Sequence, residues 1–452
     1  MSVGQPIPPA AAPASSRRRL QRIGLAPFAA VLYAYCAGGP FGFESMVSAS
    51  GPGMSLLLIL VVPWLFSVPI SLATAEMASA LPVEGGFYRW TRSAFGDFAG
   101  FLCGWWNWTG TFLMCGAYGV MLADYIGNVV PIRNPLQHWL IALAFLLLVG
   151  WLNVRGIRLV GNLTLALLLT ALVPVSWFTV RGFSLARSNP FHPFMAPERF
   201  NEVFGVGLAL ALWIYSGYEQ LSTVAEEIEE PERNFPRALA LTVPLAIITF
   251  LLPLAAGLAA LGNWQQWQTG YILTAARLIG GPALQWSMFA AAVVCTLVLL
   301  ESTVLSSSRL PFAMAEDGYF HPALARLHSR YRTPVLAIVL SLVVCTVLAV
   351  FSLPRLIAVY AWLRVASSIM TLLSLWRLRR VAPELPRRFR VPGGRRGLAA
   401  VVLVPIALFL WALINSDPAA RWLGLLALAT GPIAFGLARR RAASPGAILE
   451  KS

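Results

Sequence analysis

The sequence predicts an all-α membrane protein of twelve transmembrane helices: two matching halves of five, with two helices appended. Three observations predict it. Of 452 residues, 58% are hydrophobic and 12% charged, about half the charged share of a soluble domain, roughly 25%. Apolar stretches long enough to cross a bilayer, about 20 residues each, recur along the chain. Two of them, with the same place in each half, are interrupted by helix-breaking or polar residues at equal depth, as in chains built from inverted repeats.

The spans lie near 24–49, 53–80, 97–126, 136–154, 159–181, 202–229, 236–262, 280–313, 333–352, 354–380, 397–414 and 420–440. The first opens near Gly24 and breaks at "AGGPFGFES" (37–45), where Gly38, Gly39, Pro40 and Gly42 precede Glu44. The sixth opens near residue 202 and breaks at "IYSGYEQ" (214–220), with Ser216 as far from its start as Gly38 is from Gly24. Residues 24–181 thus form a first repeat of spans 1–5 and 202–380 a second of spans 6–10. Spans 11 and 12 occupy 397–440. Residues 1–23 and 441–452 are tails, the first expected to be disordered; it holds no apolar core of a cleavable leader. "VEGGFYRW" (83–90) reads as a cytoplasmic loop and amphipathic segment, with Tyr88 and Trp90 anchoring at the interface. "GWWNWTG" (104–110) puts Asn107 and Thr109 on span 3, facing the pocket.

Net charge is +15, and its placement is topological. With loops assigned alternately, 26 Lys and Arg fall on the side that holds both termini and seven on the other, with Arg364 inside a span. Cationic loops face the cytoplasm, so both termini are expected there. A nucleic-acid footprint would instead gather its Arg on one face with aromatics, so no nucleic-acid partner is expected. Lys451 is the one lysine; such an arginine excess suits a GC-rich bacterial genome and a bacterial cytoplasmic (inner) membrane. Cys36, Cys103, Cys115, Cys295 and Cys345 sit within spans without ligand-like spacing, and suit small apolar packing. No metal and no cofactor are expected. No G-x-S-x-G or H-E-x-x-H motif appears, which argues against a membrane-embedded enzyme.

Broken helix survives in hydrocarbon only where protein or a polar cavity covers it, because each unpaired backbone group costs several kcal/mol. Two facing breaks offer free N–H groups at one kind of end and carbonyls at the other. That arrangement suits a small zwitterion or cation. The plainer reading of the Gly cluster alone is close helix packing or a kink.

At these motifs, together with "ATAEMASALPVEGGFYRW" (73–90), "YEQLSTVAEEIEEPERNFPRAL" (218–239) and "APELPRRFRVPGG" (382–394), the chain resembles the amino acid–polyamine–organocation superfamily. It looks most like the polyamine-uptake branch. The resemblance covers roughly 24–440. It implies a LeuT-type fold and a secondary transporter that works by alternating access. The substrate site would lie between spans 1 and 6, with spans 3, 8 and 10 around it.

Charged residues inside a membrane are expensive and are functional candidates by default. Glu44 and Glu219 follow the two breaks. Each either caps its half-helix or cancels the attraction of that end for a carboxylate and favours an amine. Tyr35, Trp213, Tyr215 and Tyr218 are candidate cation–π partners, although plain packing accounts for aromatic stripes as well. With Gly217, these residues, the Gly38–Gly42 cluster, Ser216, Asn107 and Glu301 are the candidate substrate site. Glu301 sits on span 8 beside Ser302, Thr303, Ser306 and Ser307. The resemblance implies either a sodium site made by these hydroxyls or a coupling proton on Glu301; the hydroxyls can also bond their own helix. Glu76 reads as a structural or gating pair with a nearby Arg. The run Glu226, Glu227, Glu229, Glu230 is expected to pair with Arg17–Arg22, Arg89 or Arg92 as an inner gate, or to be a solvated helix end. Arg364 is a departure from the branch, which carries an uncharged residue there and an acid where Thr371 stands. It is expected to neutralise Glu44 or Glu301, to stand in for a bound cation, or to snorkel.

The expected function is a proton-coupled carrier of amino acids or polyamines, symporter or antiporter, whose partners are a small solute and the lipid bilayer. The alternatives are a sodium-coupled or exchange carrier of neutral amino acids and, from another class, a transport-dead sensor or channel.

Overall fold

A computed structural model describes residues 21–127, 132, 134–198, 200–268, 270–349, 353–414 and 418–442. The tails 1–20 and 443–452, with Arg17, Arg18, Arg19 and Lys451, lie outside the described residues, as do Arg133 and Arg199.

The first pass is α1 (Leu25–Cys36), a break, and α2 (Ser45–Ser50). The second is α3 (Pro52–Val62), a π turn at Pro63–Ser67, and α4 (Val68–Ala80). A short α5 (Phe87–Phe95) leads into α6 (Asp97–Gly127), α7 (Pro135–Arg155) and α8 (Ile157–Ser184), which complete the first half. The sixth pass is α9 (Phe200–Ile214), a break, and a 3-10 helix at Gln220–Glu227. Then come α10 (Pro231–Leu261), α11 (Tyr271–Glu316), α12 (Val335–Leu348), α13 (Leu353–Val381), α14 (Gly394–Ile414) and α15 (Pro418–Ala442). Among the described residues, eight segments are long and apolar enough to cross a membrane, and Leu25–Cys36, Val203–Ile214 and Val335–Leu348 are shorter apolar helices. The protein is thus an all-α, multi-pass membrane protein.

Two sequence expectations need correction. The eighth span is longer than 280–313, because α11 starts at Tyr271 and bends at Gly281, whose φ of +72° a side chain would resist. Beyond its break the sixth pass is 3-10 rather than α; Thr223 there turns its hydroxyl onto the Gln220 carbonyl, a local bond of the kind that competes with an α-helix.

The apolar side chains sort by neighbour. Leu147, Trp151, Val173, Val180, Val343, Leu403 and Leu426 point outward from α7, α8, α12, α14 and α15, a surface that only lipid would cover at no cost. The core lies between the halves, where α6 packs on α13 and α11, and α8 packs on α1 and α11. The first pass starts where the sixth ends: Ile23 bridges Ile228, with the Ile23 N–H donating to the Glu227 carbonyl at 3.1 Å. The two broken passes therefore run in opposite directions beside each other. Tyr88 and Trp90 are not interface anchors. Both are fully buried, Tyr88 donating to Asp317 Oδ2 at 2.7 Å and Trp90 Nε1 to the Leu81 carbonyl at 2.9 Å.

Candidate functional site

The first break is a run of left-handed glycines: φ is +58° at Gly38, +100° at Gly39 and +89° at Gly42, with Pro40 buried in the bend. The second turns at Gly217, with φ of +121°. The breaks touch. A methyl group at Gly217 would lie 2.7 Å from the Tyr35 ring, and one at Gly38 would lie 2.3 Å from Leu299 Cγ on α11. The glycines thus serve both readings at once, unwinding the chain and letting it pack closely.

A cavity of 30 Å³ lies against the breaks. Tyr35, Trp213, Ser216 and Thr303 of the expected set line it, joined by Tyr118 and Met114 from α6 and Tyr360 from α13. This is room for about a water molecule, so an organic solute requires these side chains to part. Asn107, offered by the sequence as span 3's contribution, lies elsewhere: its Nδ2 donates to Ser367 Oγ at 3.3 Å, and α6 reaches the cavity about two turns further on. Thr109 bonds the Trp105 carbonyl of its own helix. Tyr215 points away and donates to the Ile59 carbonyl at 2.9 Å. Tyr218 is buried with its hydroxyl unbonded and does not line the cavity.

The carboxylates take three environments. Glu44 does not cap α2. Its Oε2 turns back to accept from the Gly42 N–H at 2.9 Å, while Oε1 is buried without a hydrogen bond. Glu219 does not cap its helix either. Its Oε1 accepts from Ser368 Oγ at 2.6 Å and lies 2.8 Å from Arg364 Nη2. Arg364 therefore compensates Glu219, not Glu44 or Glu301, and it does not snorkel: it is 3% exposed. The reason is register. Arg364 is one turn beyond cavity-lining Tyr360 on α13, level with the chain that leaves the second break. Glu301 faces away from the cavity, toward α8 and α7. Its Oε2 accepts from Thr164 Oγ1 at 3.1 Å and its backbone carbonyl from Asn153 Nδ2 at 3.3 Å.

The span-8 hydroxyls largely bond backbone. Thr303 donates to the Leu299 carbonyl, Ser307 to Val304, and Ser306 across to Gln220 of the sixth pass. Ser302 Oγ is buried and unbonded.

Toward the end that holds residues 23 and 228, ion pairs tie the passes together. Glu227 is held by Arg309 through Nε at 2.7 Å and Nη2 at 3.3 Å, and Arg309 is 1% exposed. The expected partners Arg89 and Arg92 instead bind Glu316, Asp317 and Asp97. Arg309 is a functional residue that the sequence reading missed, although a charge within the eighth span, beside Ser306–Ser308, is the signal that marks it. Glu226 accepts from the Glu84 N–H at 3.0 Å, and Glu230 meets only exposed Arg233. Glu84, in the loop after α4, is buried, and burial pushes its carboxyl well above the usual range, with Glu227 and Glu226 adding to the rise. Glu76 has the gating or structural Arg the sequence implied. Arg379 grips it through both oxygens, Arg387 Nε is 3.3 Å away, and the Val391 N–H donates at 2.7 Å. The "PELPRRFRVP" loop is thereby clamped onto the second pass.

The family model described as amino acid permease matches residues 27–421. A probable polyamine transporter of Arabidopsis thaliana is 29% identical over 410 residues, 90% of this chain and 82% of its own. A second from that plant is 30% identical over 407 residues, 88% and 83% of the two chains. A polyamine transporter of Oryza sativa subsp. japonica is 29% identical over 421 residues, 92% and 77%.

Proposed function

The chain belongs to the amino acid permease family, and from that premise we propose a proton-coupled secondary transporter. It moves amino acids, or polyamines and related organic cations, across the membrane by alternating access. The observation that carries this reading is the buried Glu219–Arg364 pair one turn from an aromatic cavity between two facing breaks. Glu219 keeps Oε2 free for a solute's ammonium while Arg364 offsets its charge, so a singly charged ammonium suits the pair better than a polycation. That favours an amino acid. A polyamine is the second reading, supported by the names of the relatives and by Glu44, a further buried carboxylate at the first break.

In this reading Tyr35, Trp213, Tyr118 and Tyr360 offer ring faces to the ammonium and its alkyl chain. The backbone at Gly38–Gly42 and Ser216–Gly217 supplies polar contacts. Glu301, bonded by Thr164 and not lining the cavity, carries the coupling proton. Glu227–Arg309 and Glu76–Arg379 close the inner side. The charge asymmetry of the loops supports a cytoplasmic position for both termini, and the arginine excess over lysine supports a bacterial host.

The test is uptake of labelled putrescine, leucine and arginine into proteoliposomes, with and without an inward proton gradient, alongside counterflow. Gradient-driven accumulation that a protonophore abolishes is expected, and its absence rejects proton coupling. Absence of counterflow for all three solutes rejects transport of them. Glu219→Gln, at normal expression, is expected to abolish putrescine uptake if putrescine is carried; unchanged uptake rejects Glu219 as an amine site.

A further inference from the structure

The buried ion pairs of this molecule are not alike. Glu76 receives two guanidinium groups and a backbone N–H. Arg309 donates twice to Glu227 and once to Ser308 Oγ. Those pairs are satisfied, as buried charges must be to persist. Arg364 is buried equally well, yet Nε, Nη1 and Nη2 all lack a hydrogen bond, and so does Oε2 of Glu219. Its charge is held by proximity alone, at 2.8 Å from Glu219 Oε1. A guanidinium carries five donors, and leaving them idle in a buried site is costly. Such a pair exchanges partners more readily than the other two. It also stands one helical turn from the cavity-lining Tyr360 on α13.

We propose that Arg364 is a tethered substitute for the solute's ammonium at Glu219: the solute displaces it during transport, and it returns to Glu219 when the carrier is empty. This rests on the transport reading above and deepens it. An empty carrier with an uncompensated buried carboxylate pays heavily to close over it. With Arg364 in place the carrier closes and reorients without solute, so net transport is possible. Without it, a solute ammonium must be present on every crossing, and the carrier becomes an exchanger.

The experiment uses the full chain in proteoliposomes and whichever of labelled putrescine, leucine or arginine the wild type carries. Net uptake into solute-free vesicles is compared with counterflow into vesicles loaded with the same unlabelled solute. For Arg364→Gln, counterflow is expected to persist while net uptake falls at least about tenfold. For Arg364→Lys, which keeps the charge, both activities are expected. Net uptake by Arg364→Gln at the wild-type level overturns the proposal. So does parallel loss of both activities in a folded Arg364→Gln protein, which would make Arg364 part of the solute site itself. Should Arg364→Gln fail to fold, Arg364→Lys decides: retained net uptake supports the proposal, and its loss with counterflow intact overturns it. Failure of wild-type counterflow would reject the transport reading instead, so the two failures are distinguishable.

Discussion

At the scale of residues, satisfaction of hydrogen bonds separates the buried acids into two groups. Glu76 and Glu227 are fully engaged, and they tie elements together. Glu44, Glu84, Glu219 and Glu301 each keep one oxygen free of any hydrogen bond, with capacity left for another partner. The distinction yields a prediction. Glu76→Gln leaves the part-buried Arg379 and Arg387 without their buried counter-ion, and should cost about 3 kcal/mol of stability. Thermal unfolding in detergent would read it as a large drop in midpoint, and a midpoint equal to the wild type would show that the clamp is ornamental. The sequence marked each acid as improbable in a membrane, and could mark no partner. Arg364, Arg309 and Arg379 lie 145, 82 and 303 positions from the acids they meet, and only helix packing brings them together.

At the scale of elements, the two breaks were legible because their residues cannot propagate a helix: left-handed glycines in the first, Gly217 in the second. Their local outcome was less legible. The expected caps at Glu44 and Glu219 give way to a bond within the break and to an ion pair, because a side chain nine-tenths buried answers to its neighbours before its own helix. Gly217 yields a prediction at this scale. A β-carbon there meets the Tyr35 ring at 2.7 Å and fixes an alanine at φ of +121°, a strain of about 1–3 kcal/mol before any clash. Gly217→Ala should separate the two breaks and abolish counterflow while the purified protein still elutes as one species. Wild-type counterflow would show that the close approach is dispensable.

At the scale of the molecule, polarity is inverted relative to a soluble protein. Among the described residues the outer surface carries Trp64, Trp151, Val180 and Leu426, while the interior holds carboxylates, arginines and 25 serines and threonines. Lipid accounts for the surface, and two opposed broken passes account for the interior. Ion pairs crowd the end that holds Ile23 and Ile228, and the basic loops lie on that side. The orientation proposed above predicts that reporters fused to either terminus score as cytoplasmic in a bacterial host. A periplasmic score for either would reverse the reading of which gate is inner.

The sequence by itself determined the helical class, the membrane environment, the positions of both breaks and most, though not Arg309, of the charged residues within the passes. Composition and apolar run length govern these, and both are local properties. Tertiary structure alone decided which charge answers which, that Arg364 serves Glu219, that Glu301 faces α8, and that Tyr118 and Tyr360 line the cavity while Asn107 and Tyr215 do not. A side chain's direction depends on the rotation of its helix against neighbours far away in the chain, and no stretch of twenty residues contains that angle.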